Sequence, residues 1–485
     1  MPPKNQEKEI SDPKAQAEAQ LRAMYRKTFG REPESFEPLR EDGSARRLYR
    51  MRDGSRSAIG AYGPDKLENR AFLEFSRHFR AARLPVPEIY AEDQAQGFYL
   101  EEDLGSTTLF EFLSAERKGA EIPATVEDAY KKVLGWLPRF QEQVRLGLDL
   151  KFCYPRAAFD RQSIMWDLNY FKYYFLKLAK IPFNEAKLEE DFSRFADFLL
   201  EAPAECFLYR DFQSRNIMLR GGEPWFIDYQ GGRRGAPHYD VASLLYDAKA
   251  DLPPEFRTTL RKAYVEAAGL KEKEFMRHYH AFVYIRIMQA MGAYGLRGFY
   301  ERKAHFLASV PYAVRNLEWL LRQAEPEVSV PELTACFKRI AASSYLRQFG
   351  RTKLGLTVRI MSFSYKNGVP LDDRGHGGGY VFDCRALPNP GRHAEYAQLT
   401  GRDKPVIDFL QKEPEVAKFL ENVFALTDMS VENYQSRNFS SLSAAFGCTG
   451  GRHRSVYCAE ALAERLKKKY GVRVELSHRE IGAAK

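Results

Sequence analysis

Short extended runs separated by turn residues form the first regular pattern along the chain. Residues 46–51 and 57–62 are two such runs, and Arg52-Asp53-Gly54 joins them. This arrangement predicts a β-hairpin. A further short apolar run near 98–101 predicts another strand. The pattern therefore predicts a small β-rich lobe.

One helix is predicted inside this lobe, over residues 65–83. Its apolar positions have the spacing of one helix face, and they are Leu67, Ala71, Phe72 and Phe75. The helix should end at Leu84-Pro85-Val86-Pro87, because proline cannot continue it.

The remaining chain predicts a helical lobe and then a second domain. Residues 107–323 have mostly helical periodicity, interrupted by short strands between Cys206 and Asp228. Residues 325–331 read as a linker, 332–347 as a connecting helix, and new strands begin at Gly355. The predicted fold class is α+β for the two-lobed N-terminal part, followed by a separate α/β C-terminal domain. The predicted segments are a polar leader (1–25), a small lobe (26–105), a helical lobe (106–325), a linker with a connecting helix (326–350) and a C-terminal domain (351–485).

Composition and charge narrow the class of protein. A chain of 485 residues with 44% hydrophobic and 29% charged residues exceeds one hydrophobic core, so two or three domains are expected. The six cysteines form no C-x-x-C pair, the first residues lack a signal-peptide pattern, and no apolar run approaches the roughly 18 residues of a membrane span. We expect a cytoplasmic protein without a membrane partner. Most of the net charge of +9 lies after residue 350, which suits nucleic acid, a membrane surface or small anions.

The segment between residues 206 and 230 spaces two carboxylates and a carboxamide as phosphoryl transfer requires. Asp211 follows an apolar strand, Asn216 comes five residues later, and Asp228 ends the next strand. Asp211 is expected to orient the acceptor hydroxyl and take its proton, while Asn216 and Asp228 hold Mg²⁺ against the nucleotide phosphates. The alternative is that these side chains only satisfy turn backbone groups.

On these residues, the stretch of about 25–325 resembles the aminoglycoside phosphotransferase-like kinases, which are protein-kinase-like in fold. Within them it is closest to the anomeric kinases of cell-wall recycling, which phosphorylate N-acetylmuramate or N-acetylglucosamine. The resemblance includes a phosphate-covering loop at 42–50, a hinge at 101–105 and the motif Tyr239-Asp240-Val241-Ala242, whose Asp supports the catalytic loop. It implies ATP and Mg²⁺ as cofactors. The nucleotide-binding residues that it implies are Gly43, Ser44, Arg46, Glu101, Asp103, Asn216 and Asp228.

Two departures from the family pattern leave a pseudokinase open. Tyr209 stands where the family usually has His, and the strand at 57–62 lacks the Lys that commonly pairs the nucleotide phosphates. The candidates to supply this positive charge are Arg46, Arg47 and Lys66. The helix carboxylates Glu68 and Glu74 have no obvious Lys partner, so we expect both to be solvated.

Substrate specificity is expected from the helical lobe. Aromatic faces and carboxylates suit a sugar, and Trp166, Asp167 and Tyr170 offer them in one short segment. The other candidates for substrate contact are Gln213, Arg215, Arg286 and Arg297. The competing interpretation is that the aromatic stripe is core packing.

A small-residue loop near the C-terminus predicts a phosphate cradle. Residues 443–456 read as a strand end, a glycine-containing loop and the start of a helix. Converging N–H groups, the helix N-terminus and cationic side chains together favour an anion. The residues of this predicted anion site are Cys448, Thr449, Gly450, Gly451, His453, Arg454 and Ser455.

Residues 352–482 resemble the C-terminal domain of the RNase adapter protein RapZ family. The resemblance rests on this loop and on the segments 380–390, 399–401 and 404–406. In that family the domain senses glucosamine-6-phosphate and can contact RNA. The resemblance implies that Asp383, Thr449, Gly450, His453 and Arg454 bind an amino-sugar phosphate, and it leaves RNA as a possible partner. The family's own N-terminal P-loop domain is absent here.

Three functions remain open from the sequence. The leading hypothesis is an ATP- and Mg²⁺-dependent sugar kinase for an N-acetylated amino sugar, with a C-terminal domain that binds a sugar phosphate. The rival is a non-catalytic nucleotide and sugar-phosphate sensor that regulates an RNA or protein partner. A third alternative starts from Cys448 and Arg454, which satisfy the C-x5-R spacing of cysteine-dependent phosphatases. The pattern predicts no oligomeric state.

Overall fold

A computed structural model describes residues 13–39, 46–117, 119, 121–323, 326–349, 356–370, 379–436, 439 and 441–481. Two of the predicted nucleotide-binding residues, Gly43 and Ser44, lie outside the described residues.

The N-terminal lobe is a five-stranded antiparallel sheet with two helices. Its strands are β1 (Ser35–Pro38), β2 (Arg47–Arg52), β3 (Ser57–Tyr62), β4 (Ile89–Asp93) and β5 (Phe98–Glu102), and its helices are α1 (Pro13–Phe29) and α2 (Lys66–Ala81). The spatial order of the strands is β1-β2-β3-β5-β4. The predicted hairpin of β2 and β3 is confirmed, and Asp53 shapes its turn by accepting the N–H groups of Ser55 and Arg56 at 3.3 and 2.9 Å.

Two details of this lobe differ from the prediction. The predicted polar leader contains most of α1, whose Ala17, Leu21 and Tyr25 are buried against the sheet. Its apolar residues are too sparse among polar ones to stand out in the sequence. In α2 the buried face is formed by Ala71, Phe72 and neighbouring residues, whereas Leu67 is 60% exposed.

The middle of the chain is helical, with three short strands inside the predicted segment 206–228 and a fourth just after it. The helices are α3 (Leu109–Glu116), α4 (Ala124–Gln141), α5 (Arg161–Tyr170), α6 (Glu185–Leu200), α7 (His238–Leu245), α8 (Pro254–Ala267), α9 (Glu272–Tyr294), α10 (Ala304–Leu307), α11 (Val310–Gln323), α12 (Pro331–Ala342) and α13 (Ser344–Gln348). The strands are β6 (Cys206–Leu208), β7 (Ile217–Arg220), β8 (Glu223–Phe226) and β9 (Arg233–Gly235). β6 pairs with β9 and β7 pairs with β8, both antiparallel. The single connecting helix predicted over 332–347 is instead two helices, because Ser343 caps α13.

The C-terminal residues form a parallel four-stranded sheet with helices. The strands are β10 (Thr357–Ser364), β11 (Tyr380–Asp383), β12 (Ser441–Cys448) and β13 (Arg473–His478), and the helices are α14 (Lys404–Gln411), α15 (Pro414–Ser436) and α16 (Arg454–Tyr470). The order β11-β12-β10-β13 is parallel throughout. The predicted fold class, a kinase-like two-lobed part and an α/β domain, is therefore confirmed.

The chain divides into two compact units. The first consists of the segments up to Leu168, Phe183–Met288 and Asn316–Phe337, and the second of Asn169–Pro182, Gln289–Arg315 and the residues from Lys338. Within the second unit, Phe299 packs its ring against Tyr345 and Phe349 at 6.5 and 5.6 Å. Two stretches of the predicted helical lobe thus group with the C-terminal residues. Among the helices described, none combines the length and the apolar character needed to cross a membrane.

Candidate functional site

The loop after β6 is held in place by a buried carboxylate. Asp240 on α7 accepts the backbone N–H groups of Tyr209 and Arg210 at 2.8 and 3.0 Å. Burial raises the pKa of Asp240 to about 7, although the two N–H donors act to lower it. Arg210 has a positive φ of 82°, a conformation that a non-glycine residue adopts only when its surroundings hold it there. Asp240 therefore fixes the backbone that presents Asp211.

A buried ion pair holds the side chain of Arg210 in the same loop. Arg210 donates to both carboxylate oxygens of Asp167, at 2.7 and 2.6 Å. Its guanidinium also lies over the rings of Phe159 and Tyr239, 5.4 and 5.1 Å from the ring centres. The sequence predicted that Asp167 would contact substrate. In the structure both of its oxygens are used to hold Arg210, a partner 43 positions away.

The three residues predicted to carry the chemistry meet at one point. The Asn216 amide donates to the Asp211 carbonyl oxygen at 2.9 Å and to Asp228 Oδ2 at 3.1 Å. Asp228 has a positive φ of 68°, and its carboxylate accepts from Asn216 of this loop. Burial raises the pKa of Asp211, and the negative charge of Asp228 raises it further.

Arg46 lies between two carboxylates of the site, Asp228 and Glu68. Its guanidinium donates to Asp228 Oδ1 at 2.6 Å and lies 3.6 Å from Glu68 on α2. Gln230 bridges the same two carboxylates, at 2.8 Å from Asp228 and 3.3 Å from Glu68. The expectation that Glu68 is solvated is therefore wrong, and burial raises its pKa. Glu74, by contrast, pairs with a surface arginine, Arg77, at 2.9 Å.

The packing around β3 leaves no room for a lysine side chain on its buried face. A Cβ added at Gly60 would lie 2.7 Å from the Met51 methyl and 3.1 Å from the Leu21 side chain. Ala58 and Ala61 are also fully buried. The other two candidates differ from Arg46: Lys66 is exposed, and Arg47 makes no ion pair with a described residue.

The predicted hinge residues have different surroundings. Asp103 accepts both guanidinium donors of Arg50, at 2.9 and 2.8 Å, and also the Ser57 hydroxyl. These bonds lower its pKa although burial acts to raise it. Glu101 Oε2 is buried with no hydrogen-bond partner among the described residues, and burial raises the pKa of Glu101 to about 8. The geometry thus makes Asp103 an anchor of the hinge and leaves Glu101 unsatisfied beside Arg46.

The other predicted substrate residues are dispersed. Gln213 lies nearest the centre, with its amide 3.5 Å from Asp211 Oδ1. Arg215 stacks over Phe110 at 4.5 Å, and Trp166 is 45% exposed with Arg156 over its ring at 5.7 Å. Two further candidates, Tyr170 and Arg297, belong to the second compact unit.

Three arginines act electrostatically on Asp211, and the sequence predicts a role for only one of them. They are Arg210, Arg286 and Arg233. Arg286 donates to the Ser243 hydroxyl at 2.9 Å and is buried. No role was predicted for Arg210, although it directly precedes Asp211, or for Arg233, because their partners are distant in sequence.

The C-terminal loop between β12 and α16 has several backbone N–H groups without an acceptor among the described residues. β12 ends at Cys448, whose Sγ accepts the Gly451 N–H at 3.2 Å and lies 3.2 Å from the Ser455 hydroxyl. Gly451 has a positive φ of 66°, and space is open around Gly450. The N–H groups of Gly450, Arg452 and His453 donate to no described residue. Donors are thus available at the N-terminus of α16.

The side chains of Arg454 and His453 were predicted to bind a phosphate, but in the structure both contact backbone carbonyl oxygens. Arg454 Nη1 donates to the carbonyl oxygens of Arg385 and Leu387 at 2.7 and 2.8 Å. His453 Nε2 lies 2.9 Å from the Tyr396 carbonyl oxygen, and Asp383 pairs with Arg385 at 2.6 Å. The Thr449 carbonyl accepts the Ser364 hydroxyl at 2.7 Å. The predicted phosphate ligand Arg454 is therefore already bonded to backbone, and its Nε is buried without a partner in the described part of the chain.

Comparisons with known proteins find one family for the N-terminal part of the chain and another for the C-terminal part. A profile described as the phosphotransferase enzyme family (APH) matches residues 35–279, just over half of the chain, and one described as the RapZ C-terminal domain matches residues 356–482. Curated relatives include a nucleotide-binding protein of Acidithiobacillus ferrooxidans, 48% identical over 130 residues, which are 26% of this chain and 41% of that protein. Another, a nucleotide-binding protein of Acidobacterium capsulatum, is 35% identical over 202 residues, 40% of this chain and 64% of that protein. The chain thus spans less than two thirds of these relatives.

Among solved structures, a choline/ethanolamine kinase family protein from Mesorhizobium loti aligns with a TM-score of 0.45 and 14% identity, over 68% of this chain and 99% of that one. The ADP-bound aminoglycoside phosphotransferase APH(2'')-Ib aligns with a TM-score of 0.41 and 11% identity, with the same coverages. From the profile matches, the chain belongs to the phosphotransferase enzyme family and carries a RapZ C-terminal domain.

Proposed function

We propose that this chain is an ATP- and Mg²⁺-dependent kinase that phosphorylates a hydroxyl of an N-acetylated amino sugar. The observation that carries the proposal is that the Asn216 amide donates both to the Asp211 backbone carbonyl and to Asp228, with Arg46 on Asp228. Phosphoryl transfer needs an acceptor base, oxygen ligands for the metal and a cation for the phosphates, and this group contains all three.

Asp211 is the residue that orients the acceptor hydroxyl and takes its proton. Its side chain has no ion-pair partner within 4 Å among the described residues, so it is available to a hydroxyl. The raised pKa of Asp211 brings it closer to the working pH, as a general base requires.

Asn216 and Asp228 fit Mg²⁺ as ligands. Mg²⁺ prefers oxygen donors and usually takes one or two from protein and the rest from phosphates and water. The Asn216 amide nitrogen faces Asp228, so its side-chain oxygen has no hydrogen bond within the described residues. Among the described residues, no group of three or more His, Cys, Asp or Glu side chains is placed to hold a metal ion. When bound, Mg²⁺ supplies charge neutralisation at the nucleotide phosphates.

Arg46 takes the role that a strand lysine has in related kinases. It is the cation that links the α2 carboxylate Glu68 to Asp228, and its charge would also be attractive to nucleotide phosphates. This argues against the pseudokinase alternative, which began from the missing Lys.

The acceptor class rests on the charge of the site as well as on the resemblance. A polycationic aminoglycoside would need free carboxylates, but Asp167 is paired with Arg210 and Asp240 accepts backbone N–H groups. Steady-state kinetics with N-acetylglucosamine, N-acetylmuramate and an aminoglycoside test this choice. A higher kcat/KM for the aminoglycoside would reverse it.

We further propose that the C-terminal domain binds an amino-sugar phosphate such as glucosamine-6-phosphate through backbone N–H groups. The unpaired N–H groups of Gly450, Arg452 and His453 at the start of α16 support this, since helix N-termini favour phosphate. Calorimetry on the full chain with glucosamine-6-phosphate tests it, with a Cys448→Ser variant as the control that should bind normally.

The phosphatase alternative makes a different prediction for the same variant. Arg454 would have to hold the phosphate oxygens, but its Nη1 is bonded to two carbonyl groups. We therefore expect no phosphate release from the ligand. Release by the wild type that disappears in Cys448→Ser would establish hydrolysis, and binding of nucleotide and sugar phosphate without any ATP turnover would favour the sensor.

A further inference from the structure

Arg233 is a buried arginine next to the proposed acceptor base. It begins β9, which pairs with the strand that leads to Asp211, and it is 6% exposed. Its Nε and Nη2 donate to one backbone oxygen, that of Gly231, at 3.0 and 2.9 Å. Its Nη1 makes no hydrogen bond to a described residue.

No described carboxylate lies within 4 Å of the Arg233 guanidinium, although several carboxylates are nearby. Asp167 is taken by both terminal nitrogens of Arg210. Asp240 accepts two backbone N–H groups of the loop. Buried charged groups in proteins are normally paired. The described residues provide no such partner for Arg233, so a bound ligand is the candidate partner.

The charges around Arg233 favour an anion. Burial and the neighbouring Arg210 lower its pKa to about 10, so Arg233 remains protonated at neutral pH. Arg210 and Arg286 contribute positive charge at the same place, because both act on Asp211. The carboxylates near these arginines are Asp211, Asp167, Asp240 and Asp228. Asp167 pairs with Arg210, Asp228 pairs with Arg46, and Asp240 accepts two backbone N–H groups. None of them forms an ion pair with Arg233, so its charge is left for another anion.

We propose that Arg233 pairs with an anionic group of the acceptor, so that the kinase prefers a sugar that carries a carboxylate or a phosphate over its neutral counterpart. This inference rests on the proposed function, and it makes Arg233 a specificity-determining residue. A guanidinium matches the oxygens of either anion, and Nη1 offers two protons for this contact.

The test compares binding of sugars that differ in the anionic group. Calorimetry on the full chain, with Mg²⁺ and a non-hydrolysable ATP analogue, measures N-acetylmuramate, N-acetylglucosamine-6-phosphate and N-acetylglucosamine. The wild type should bind at least one acidic sugar ten-fold or more tightly than the neutral one. Arg233→Gln should remove this preference, with less than a three-fold change for N-acetylglucosamine, and Arg233→Lys should retain part of it because it keeps the charge.

Arg234→Gln is the matched control. Arg234 is the next residue of β9, but its side chain is 46% exposed and lies 3.9 Å from the surface residue Glu205. Its substitution should change no affinity. Comparison of N-acetylmuramate with N-acetylglucosamine-6-phosphate shows whether the preferred anion is a carboxylate or a phosphate. The C-terminal domain is a separate proposed phosphate site. Only the part of the affinity that is lost in Arg233→Gln is therefore assigned to Arg233.

Equal affinity of the wild type for acidic and neutral sugars, or no binding of either, would overturn the inference. So would an Arg233→Gln protein that melts at the wild-type temperature and loses affinity for both sugars equally, because the arginine would then only support the loop. An Arg233-dependent preference in a protein that consumes no ATP with any sugar would keep this inference and overturn the kinase proposal.

Discussion

The negative charge of Asp228 affects the ionisation of the nearby Asp211. Asp211 is withdrawn from water and faces the negative charge of Asp228, and both effects raise its pKa. The arginines around it act in the opposite direction without cancelling this shift. A general base with a raised pKa loses activity at a higher pH than a free aspartate would.

The pH dependence of kcat/KM tests this. Asp211 accepts a proton only when ionised, so kcat/KM for the acceptor should fall as the pH decreases through the raised pKa. The acid limb should therefore lie above about pH 4, the ordinary value for aspartate. An acid limb at or below pH 4 in the free enzyme would contradict the role given to Asp211.

Asp240 offers a prediction about stability. Asp240→Ala leaves the N–H groups of Tyr209 and Arg210 without an acceptor in a buried place, which costs about 1–3 kcal/mol for each group. Urea unfolding should show a loss of this order, and Asp240→Asn should lose less because its side-chain oxygen can still accept one N–H. An alanine variant as stable as the wild type would show that the loop does not depend on this clamp.

Residue roles could be predicted where the partners are close in sequence. The five-residue spacing of Asp211 and Asn216, followed by Asp228 at a strand end, is a local pattern. The pairs Arg210 with Asp167 and Arg46 with Asp228 join residues 43 and 182 positions apart. Nothing in the local pattern identifies such pairs, which explains why Asp167 was assigned to substrate.

At the scale of elements, Arg46 connects the sheet lobe to the loop that follows β8. It precedes β2, contacts Glu68 on α2 and donates to Asp228. Elements that approach from different parts of the chain thus share one cation, so its loss should affect nucleotide binding as well as turnover.

Replacing Arg46 tests this connection. Arg46→Ala should raise KM for ATP by about ten-fold or more, since a hydrogen bond to a charged group contributes about 1.5–3 kcal/mol. Arg47→Ala is the matched control, because Arg47 makes no ion pair with a described residue and should leave KM for ATP unchanged. An equal effect of both substitutions would mean that the general charge of β2, and not the contact with Asp228, attracts the nucleotide.

Helix α1 is an element that the sequence presented as a leader, and its packing can be measured. Leu21 is fully buried, whereas Leu67 on α2 is 60% exposed. Leu21→Ala should therefore cost about 2–5 kcal/mol of unfolding free energy, and Leu67→Ala close to none. Chemical denaturation of the two variants checks this. Equal losses would contradict the packing of α1 against the sheet.

At the scale of the whole molecule, the sequence predicted the two kinds of fold but not the grouping of the helices. Residues 169–182 and 289–315 have the same helical periodicity as the rest of the predicted helical lobe, yet they group with the C-terminal residues. Helical periodicity shows that one face is buried and does not show which core it joins. Phe299, which packs on Tyr345 and Phe349, illustrates this limit.

The joining of a phosphotransferase part and a RapZ C-terminal domain in one chain gives the central claim its biological sense. If the N-terminal part makes a sugar phosphate and the C-terminal part binds one, both parts act on the same class of metabolite. This claim depends first on whether the N-terminal part catalyses phosphoryl transfer at all.

The most direct test is ATP consumption by the full chain with a panel of N-acetylated amino sugars, with and without Mg²⁺, for the wild type and Asp211→Asn. The account predicts Mg²⁺-dependent formation of ADP and a sugar phosphate in equal amounts, and a loss of at least a hundred-fold in Asp211→Asn, with the melting temperature unchanged. Turnover that is undiminished in Asp211→Asn, or a wild type that binds ATP and turns over with no sugar, would contradict the account.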